Sequence, residues 1–304
     1  MRTTGSYELT FLEGERQARQ FLTVAGDWMA ADPVVSSVVA TQAVRVAGSA
    51  GTGPAPPFPF WWLVVRSDDG RVVGAAMRSA PFVPHPPYVL PMPPQAAREV
   101  GLALADRGEA VSSIVGPLPT VEVTADAYAG VLGLSCNTAL PTRMYELREV
   151  REPPSPGGQL RLAREEDLDL VDAWMDLFHP DAEEQSGRPR IPAEKGGQSP
   201  PEQRARIARG ETWLWEDRHG VPVCLGSANP SALGVRRVGP VYTPPAHRGR
   251  GYAKACVAAV SRIVLEEGDR VCLVTDLGNP ASNATYTAIG YEPVVDLATV
   301  GMTR

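Results

Sequence analysis

One stretch limits the fold more than any other: VYTPPAHRGRGYAKACVAAV, residues 241–260. An apolar run ends near Thr243, glycines follow at 249 and 251, and Ala253, Val257, Val260 and Val264 then recur at helical spacing. The pattern predicts a strand, a tight turn and a helix over about 251–266. Main-chain N–H groups in such a turn, with those left unpaired where the helix opens, make a cradle for an anion such as a pyrophosphate. Gly249 and Gly251 permit the φ values and the close backbone approach that this needs. Arg248 and Arg250 either add a favourable field or face solvent. GxGxxG and GxxxxGK[ST] are both missing from this turn, which argues against a dinucleotide fingerprint and a P-loop. Taken alone, the turn also fits a plain strand-to-helix connection.

The surrounding half reads readily. LRLA (160–163) predicts a strand, and EEDLDLVDAWMDLF a helix with Leu170, Trp174 and Leu177 on one stripe. A polar break, HPDAEEQSGRPRIPAEKGGQSPPEQ (179–203), predicts a loop, and PEQRARIARG a short helix. ETWLWED, VPVCLGSA and LGVRRVGPVYT follow as three neighbouring strands, the first two joined by a hairpin at Asp217–Gly220. VCLVTD (271–276) predicts a strand covered on both faces, SNATYTAIG a helix and YEPVVDLATV a last strand.

The first half has a similar order. ELTFL is a strand and GERQARQFLTVAGDWMA a helix with Ala18, Leu22, Ala25 and Met29 inward. A loop covers 47–59; WWLVVRS and RVVGAAMRS form a hairpin around Asp68–Gly70. YVLPM, PQAAREVGLALADRG, VSSIV and TADAYAGVLG alternate strand and helix, and NTALPTRMYELREV closes the half. EPPSPGG (152–158) reads as the joint between the halves. The division expected is therefore 1–151, a linker at 152–159, and 160–304, two diverged copies of one plan. The fold class is α/β (α+β), each copy a mixed, mostly antiparallel sheet flanked by helices.

A resemblance now enters. RGRGYA (248–253) resembles the RxxGxA form of the acetyl-CoA-binding motif of the GNAT superfamily of N-acetyltransferases, with Arg248, Gly251 and Ala253 at its defining positions. Thr243 and Pro245 resemble its Val-x-Pro lead-in, with Thr in place of Val. NPASNATYTAIGY (279–291) is similar to the second cofactor segment through Asn279, Tyr286, Gly290 and Tyr291. The first half resembles a degenerate copy: its turn reads PYVLPMPPQAAREVG, and Pro91, Pro93 and Pro94 each lack the N–H that an anion would need. It keeps Tyr128 and Gly133 but no convincing Asn, and is not expected to bind the cofactor.

The resemblance implies acetyl-CoA as cosubstrate, held where two parallel strands splay apart. The amides of Gly249, Arg250, Gly251, Tyr252 and Ala253 would take the pyrophosphate, with Arg248 and Asn279 beside the cofactor. Backbone groups around Val241 and Thr243 would pair with the pantetheine arm, and an N–H near Val241 or Tyr242 would polarise the thioester carbonyl. A primary amine would attack directly, and Tyr286, beside the cofactor, would protonate the departing thiolate or else pack in the core or against the cofactor. The central strand LGVRRVGPVYT has no carboxylate, so the base is open: Glu211, His247, a water chain, or an amine that arrives neutral. The rival reading is a noncatalytic acyl-CoA-binding or protein-interaction module.

Composition narrows the partners. With 29 Lys and Arg against 35 Asp and Glu, the net charge of −6 argues against a basic nucleic-acid-binding domain. No run of 18 apolar residues is present and MRTTGSYELTFLEGERQ has no signal-peptide core, so a cytoplasmic protein away from membranes is expected. Cys136, Cys224, Cys256 and Cys272 form no CxxC pair and read as reduced, buried thiols. No metal motif is seen, and His179 with Asp181 is too little for zinc. Trp213 and Trp215 share a face with Glu211, either as core or as a wall beside the acceptor. Of Trp61 and Trp62, on opposite faces, one is expected in the core and the other there or at an interface or cleft; His85 reads as a loop residue. The acceptor amine stays unnamed, and both monomer and homodimer stay open.

Overall fold

A computed structural model describes residues 7–48, 58–79, 84–189 and 200–304. The chain divides into two compact units, Met1–Thr142 with Val295–Arg304, and Arg143–Val294.

Unit 1 runs β1 (Tyr7–Glu13), a 3-10 turn, α1 (Ala18–Ala31), α2 (Pro33–Gly48), β2 (Trp61–Ser67), β3 (Val72–Arg78), β4 (Tyr88–Val89), α3 (Pro94–Asp106), β5 (Ser113–Pro117), α4 (Thr120–Leu132) and the first part of β6 (Ser135–Leu147). Unit 2 repeats that order with β7 (Gln159–Leu162), a 3-10 turn, α5 (Leu168–Gln185), α6 (Pro200–Ala208), β8 (Thr212–Glu216), β9 (Pro222–Ala228), β10 (Val235–Tyr242), a second 3-10 turn, α7 (Tyr252–Glu266), β11 (Arg270–Asp276), α8 (Pro280–Ile289) and the start of β12 (Glu292–Thr303).

In unit 1 the strands lie in the order β1-β2-β3-β4-β5-β12-β6, and in unit 2 in the order β6-β11-β10-β9-β8-β7. Each sheet is thus completed by a strand distant in sequence. Residues 297–301 of β12 pair antiparallel with β5, from Leu297–Pro117 to Gly301–Ser113. The chain leaves unit 1 inside β6 and returns inside β12, rather than crossing over at the Pro- and Gly-rich stretch 152–158. That stretch lies within unit 2, where Gly157 O accepts the Trp215 indole N–H at 3.0 Å.

The core of unit 1 forms on both faces of its sheet. One face of α1 buries Ala18, Phe21, Ala25 and Met29, so Phe21 takes the place expected for Leu22. Phe21 stacks on Trp62 at 5.2 Å, while Trp61 meets Phe11 edge-on at 5.2 Å. Both tryptophans of β2 are fully buried, so neither lines a surface cleft. Trp61 Nε1 donates to Glu109 at 2.9 Å, within a buried network in which Arg78 donates to the same carboxylate oxygen at 2.8 Å. Helix α2 was not expected from the sequence; its PVVSSVVATQAVRVAG is buried over much of its circumference and rich in β-branched valine, which disfavours a helix locally. Strand β4 is shorter than the YVLPM expected, since Pro91 and Pro93 cannot donate to a ladder.

Strands β4 and β5 stay in close contact. A Cβ on Gly116 would lie 2.4 Å from Val89 O and 2.8 Å from a Val89 methyl. Gly116→Ala is therefore expected to destabilise unit 1 by about 1–3 kcal/mol, measured as a lower midpoint in urea unfolding.

In unit 2, α5 lays Leu168, Val171 and Trp174 on the sheet beside Leu214, Leu225 and Tyr242. Leu177, expected on that stripe, is 41% exposed, and Leu170 is half-buried. The helix also runs past the loop start expected at residue 179, through Pro180 to Gln185. A proline inside a helix costs about 3 kcal/mol. Here Pro180 is buried and the next residue, Asp181, is anchored by an ion pair. The remaining expected loop residues 190–199 lie outside the described ones, as do 49–57 of the loop at 47–59. On the opposite face α7 buries Val257, Val260 and Val264 against Trp213, Trp215, Val271 and Leu273. Val274 of β11 is 37% exposed, so that strand is not covered throughout on both faces.

Candidate functional site

The site begins where two parallel strands part. β10 and β11 pair only through Val235–Arg270, Arg236–Val271 and Arg237–Cys272. On its other edge β10 pairs with β9 at Val238–Ala228, then shifts register before Val241–Gly226 and Tyr242–Leu225. An irregularity of this kind re-aims the backbone. Beyond Arg237, alternate main-chain groups of β10 face β9 and the gap towards β11.

The turn at the end of β10 supplies open donors. Its internal main-chain bonds are His247 N–H to Pro244 O at 2.9 Å and Arg248 N–H to Pro245 O at 3.3 Å. The next internal bond is Ala255 N–H to Gly251 O at 3.1 Å. Among the described residues, the N–H groups of Gly249, Arg250, Gly251, Tyr252 and Ala253 meet no protein acceptor. Gly249 and Gly251 have φ of 74° and 85°, the left-handed region that only glycine enters freely. Gly251 is the N-cap of α7, and no side chain caps that helix. Donors of this kind at a helix N-terminus suit an anion.

Arg248 does not join them. Its Nε donates to Thr243 O at 3.0 Å and its NH2 to Asp181 at 2.7 Å, so the guanidinium is turned back into the protein. The Tyr242 hydroxyl donates to the same Asp181 oxygen at 2.8 Å. Nothing in the sequence pattern singled out Asp181 for this place.

Tyr286 stands on α8, edge-on to Tyr291 at 5.9 Å and packed on the same core as Val241, Tyr252 and Ala253. Burial, with Cys224 nearby, pushes its phenol up to about 12 despite a hydrogen bond with Ser282. Cys224 also accepts the Thr243 hydroxyl at 3.3 Å. The end of β10, Cys224 and Tyr286 are therefore brought together. A phenol so placed keeps its proton at neutral pH and can donate it. Asn279 does a different job at the other end of α8: its Oδ1 accepts Ser282 N–H at 3.0 Å and caps the helix. Asn283 Nδ2 fastens α8 to β11 through Asp276 O at 2.8 Å.

Glu211 does not sit as a free base. Arg209 donates to both its oxygens, at 2.6 and 3.1 Å, and the carboxylate is buried. His247 lies towards the β8–β9 hairpin, near Asp217, whose carboxyl the Val221 and His219 amides hold below its ordinary range. Trp213 and Trp215 pack in the core under α7. Cys224, Cys256 and Cys272 are buried, and Cys136 is half-buried. No group of three or more metal-binding side chains occurs among the described residues, and none of their helices is long and apolar enough to cross a membrane.

Known proteins share this fold. A family model described as FR47-like protein matches residues 233–298, which span β10, α7, β11, α8 and the start of β12. No curated protein sequence matches the chain. The whole fold is similar to that of an acetyltransferase from the GNAT family of Colwellia psychrerythraea, with a TM-score of 0.56, 12% identity and cover of 97% of this chain and 99% of that one. It is also similar to a GCN5-related N-acetyltransferase from Sphaerobacter thermophilus, with a TM-score of 0.57, 16% identity and cover of 98% and 96%. A tandem GNAT protein from the clavulanic acid biosynthesis pathway matches with a TM-score of 0.50, 18% identity and cover of 97% and 98%. The chain has the fold of these acetyltransferases.

Proposed function

We propose that this protein is an acetyl-CoA-dependent N-acetyltransferase whose single cofactor site lies in unit 2. The observation that carries the reading is the row of five amides, 249–253, without internal acceptors beside the parting of β10 and β11. The row matches the negative charge of a diphosphate, and the gap admits an extended arm with which main-chain groups of Val241 and Thr243 pair. A β10 N–H near Val241 or Tyr242 draws charge onto the thioester oxygen as an amine attacks. The nitrogen–carbon bond forms, the carbon–sulfur bond breaks, and Tyr286 gives its proton to the sulfur. The amine's surplus proton leaves to water, consistent with a Glu211 already engaged by Arg209.

The repeated element order of the two units supports a tandem of GNAT-like copies, 1–151 and 160–304, that have exchanged their last strands. In the first copy, Pro93 and Pro94 open α3, and the preceding Met92 N–H is already taken by the Thr120 hydroxyl at 3.4 Å. This copy therefore takes no cofactor. We place the protein in the cytoplasm, as a monomer or homodimer.

Calorimetry is expected to give one acetyl-CoA site per chain, and a panel of primary amines to release CoA with at least one acceptor. Two sites would restore a cofactor role to unit 1. Tight binding without turnover across the panel would favour the acyl-CoA-binding module, a reading that the lack of a carboxylate on β10 supports.

A further inference from the structure

A row of amides receives an anion well only if its peptide planes are held beforehand. Two main-chain bonds, both before Gly249, are all the turn provides for itself ahead of α7. The remaining support comes from Arg248. One arm of its guanidinium reaches the carbonyl of Thr243, where β10 ends, and another reaches Asp181 on α5. The Asp181 side chain is 3% exposed against 31% for Arg248, so the fixed point of the pair is the aspartate. The Tyr242 hydroxyl, on the same oxygen, holds that aspartate to β10.

We propose that Asp181 is a positioning residue for acetyl-CoA binding. Its buried carboxylate locks Arg248, and through Arg248 the amides 249–253, in the arrangement that takes the diphosphate. Arg248 then serves as a strut and not as a ligand. The inference rests on the acetyl-CoA reading given above. Asp181 lies 67 residues before Arg248 in the chain, outside both cofactor-like segments.

The sign of one substitution separates strut from ligand. If the charge of Arg248 attracted the diphosphate, Asp181 would compete with it, and Asp181→Asn would tighten binding. If Asp181 holds the strut, Asp181→Asn loosens the turn and weakens binding. Arg248→Lys acts in the same direction, since a single ammonium cannot reproduce the fork between Thr243 O and Asp181.

The full chain and the variants Asp181→Asn, Arg248→Lys and both together are titrated with acetyl-CoA by calorimetry. Amide hydrogen exchange is followed without ligand. Each single variant is expected to weaken binding about 10- to 100-fold, the loss of one charge-assisted bond. The double variant is expected to be no weaker than the worse single one, because the two residues act as a unit. Exchange should quicken at residues 247 and 248, whose N–H groups are bonded within the turn, and stay unchanged through the rest of unit 2, whereas a general loss of structure would quicken it throughout. Wild-type or tighter binding by Asp181→Asn overturns the proposal. If the wild type binds no acetyl-CoA, the cofactor reading falls, and the strut is judged on exchange alone: unaltered protection at residues 247 and 248 overturns it. Should Asp181→Asn fail to fold, Arg248→Lys, changed at the more exposed end of the pair, decides by the exchange reading: unaltered protection at residues 247 and 248 overturns the strut.

Discussion

Replacing Tyr286 with Phe is expected to lower kcat for acetyl transfer by about 100-fold or more, while the dissociation constant for acetyl-CoA stays within about threefold. The two effects separate because the hydroxyl matters only once sulfur begins to carry charge, and the ring still packs. Its surroundings support that role. Burial pushes the phenol up to about 12, so it is fully protonated at neutral pH, and it shares Cys224 as a neighbour with Thr243 at the end of β10. A phenol this weakly acidic does not give up its proton in the resting state. On the proposed reading its contribution is a hydrogen bond that strengthens as the carbon–sulfur bond opens and completes as a proton transfer when the thiolate departs. Steady-state kinetics with the best acceptor found, alongside calorimetry, checks both numbers. An unchanged kcat would remove Tyr286 from the chemistry and leave it a packing residue beside Tyr291.

Deleting residues 295–304 is expected to unfold unit 1 while unit 2 keeps its structure. The ten residues hold Leu297, Ala298, Val300 and Met302, all buried, and five register pairs with β5. Burial of the three larger side chains is worth about 1.5–3 kcal/mol each, or roughly 5–9 kcal/mol together. Total stabilities of domains lie at about 5–15 kcal/mol, so unit 1 loses most of its margin before the ladder with β5 is counted. The core of unit 2 takes nothing from this segment; its own share of β6 supplies Tyr145 and Leu147. Hydrogen exchange of the truncated chain should show protection lost over 7–142 and retained over 143–294. Equal protection of both regions would show that β12 adds little to unit 1.

Legibility in the sequence differed from element to element for physical reasons. The turn at 248–253, the α7 stripe and the β8–β9 hairpin could be read because glycine placement and local periodicity act over a few residues. Helix α2 could not, because a helix buried over much of its circumference shows no polar face and its valines favour a strand. The last turns of α5 were hidden by Pro180, whose cost is offset by packing and by the pair between Asp181 and Arg248, contacts that no local window contains. For the same reason the sequence marks Arg248 as part of a motif without telling where its side chain points, and it marks Glu211 as a carboxylate without showing Arg209 upon it. The exchange of β6 and β12 was the least accessible feature: alternation along a strand says which face is buried, never which strand lies alongside.

That exchange has a consequence for how the protein is made. Residues up to 142 of unit 1 are made before unit 2, yet the strand that pairs antiparallel with β5 is encoded after it, within 295–304. The earlier part of unit 1 must therefore wait through the whole synthesis of unit 2 with an edge of its sheet uncovered, and residues 295–304 have to emerge before it can close.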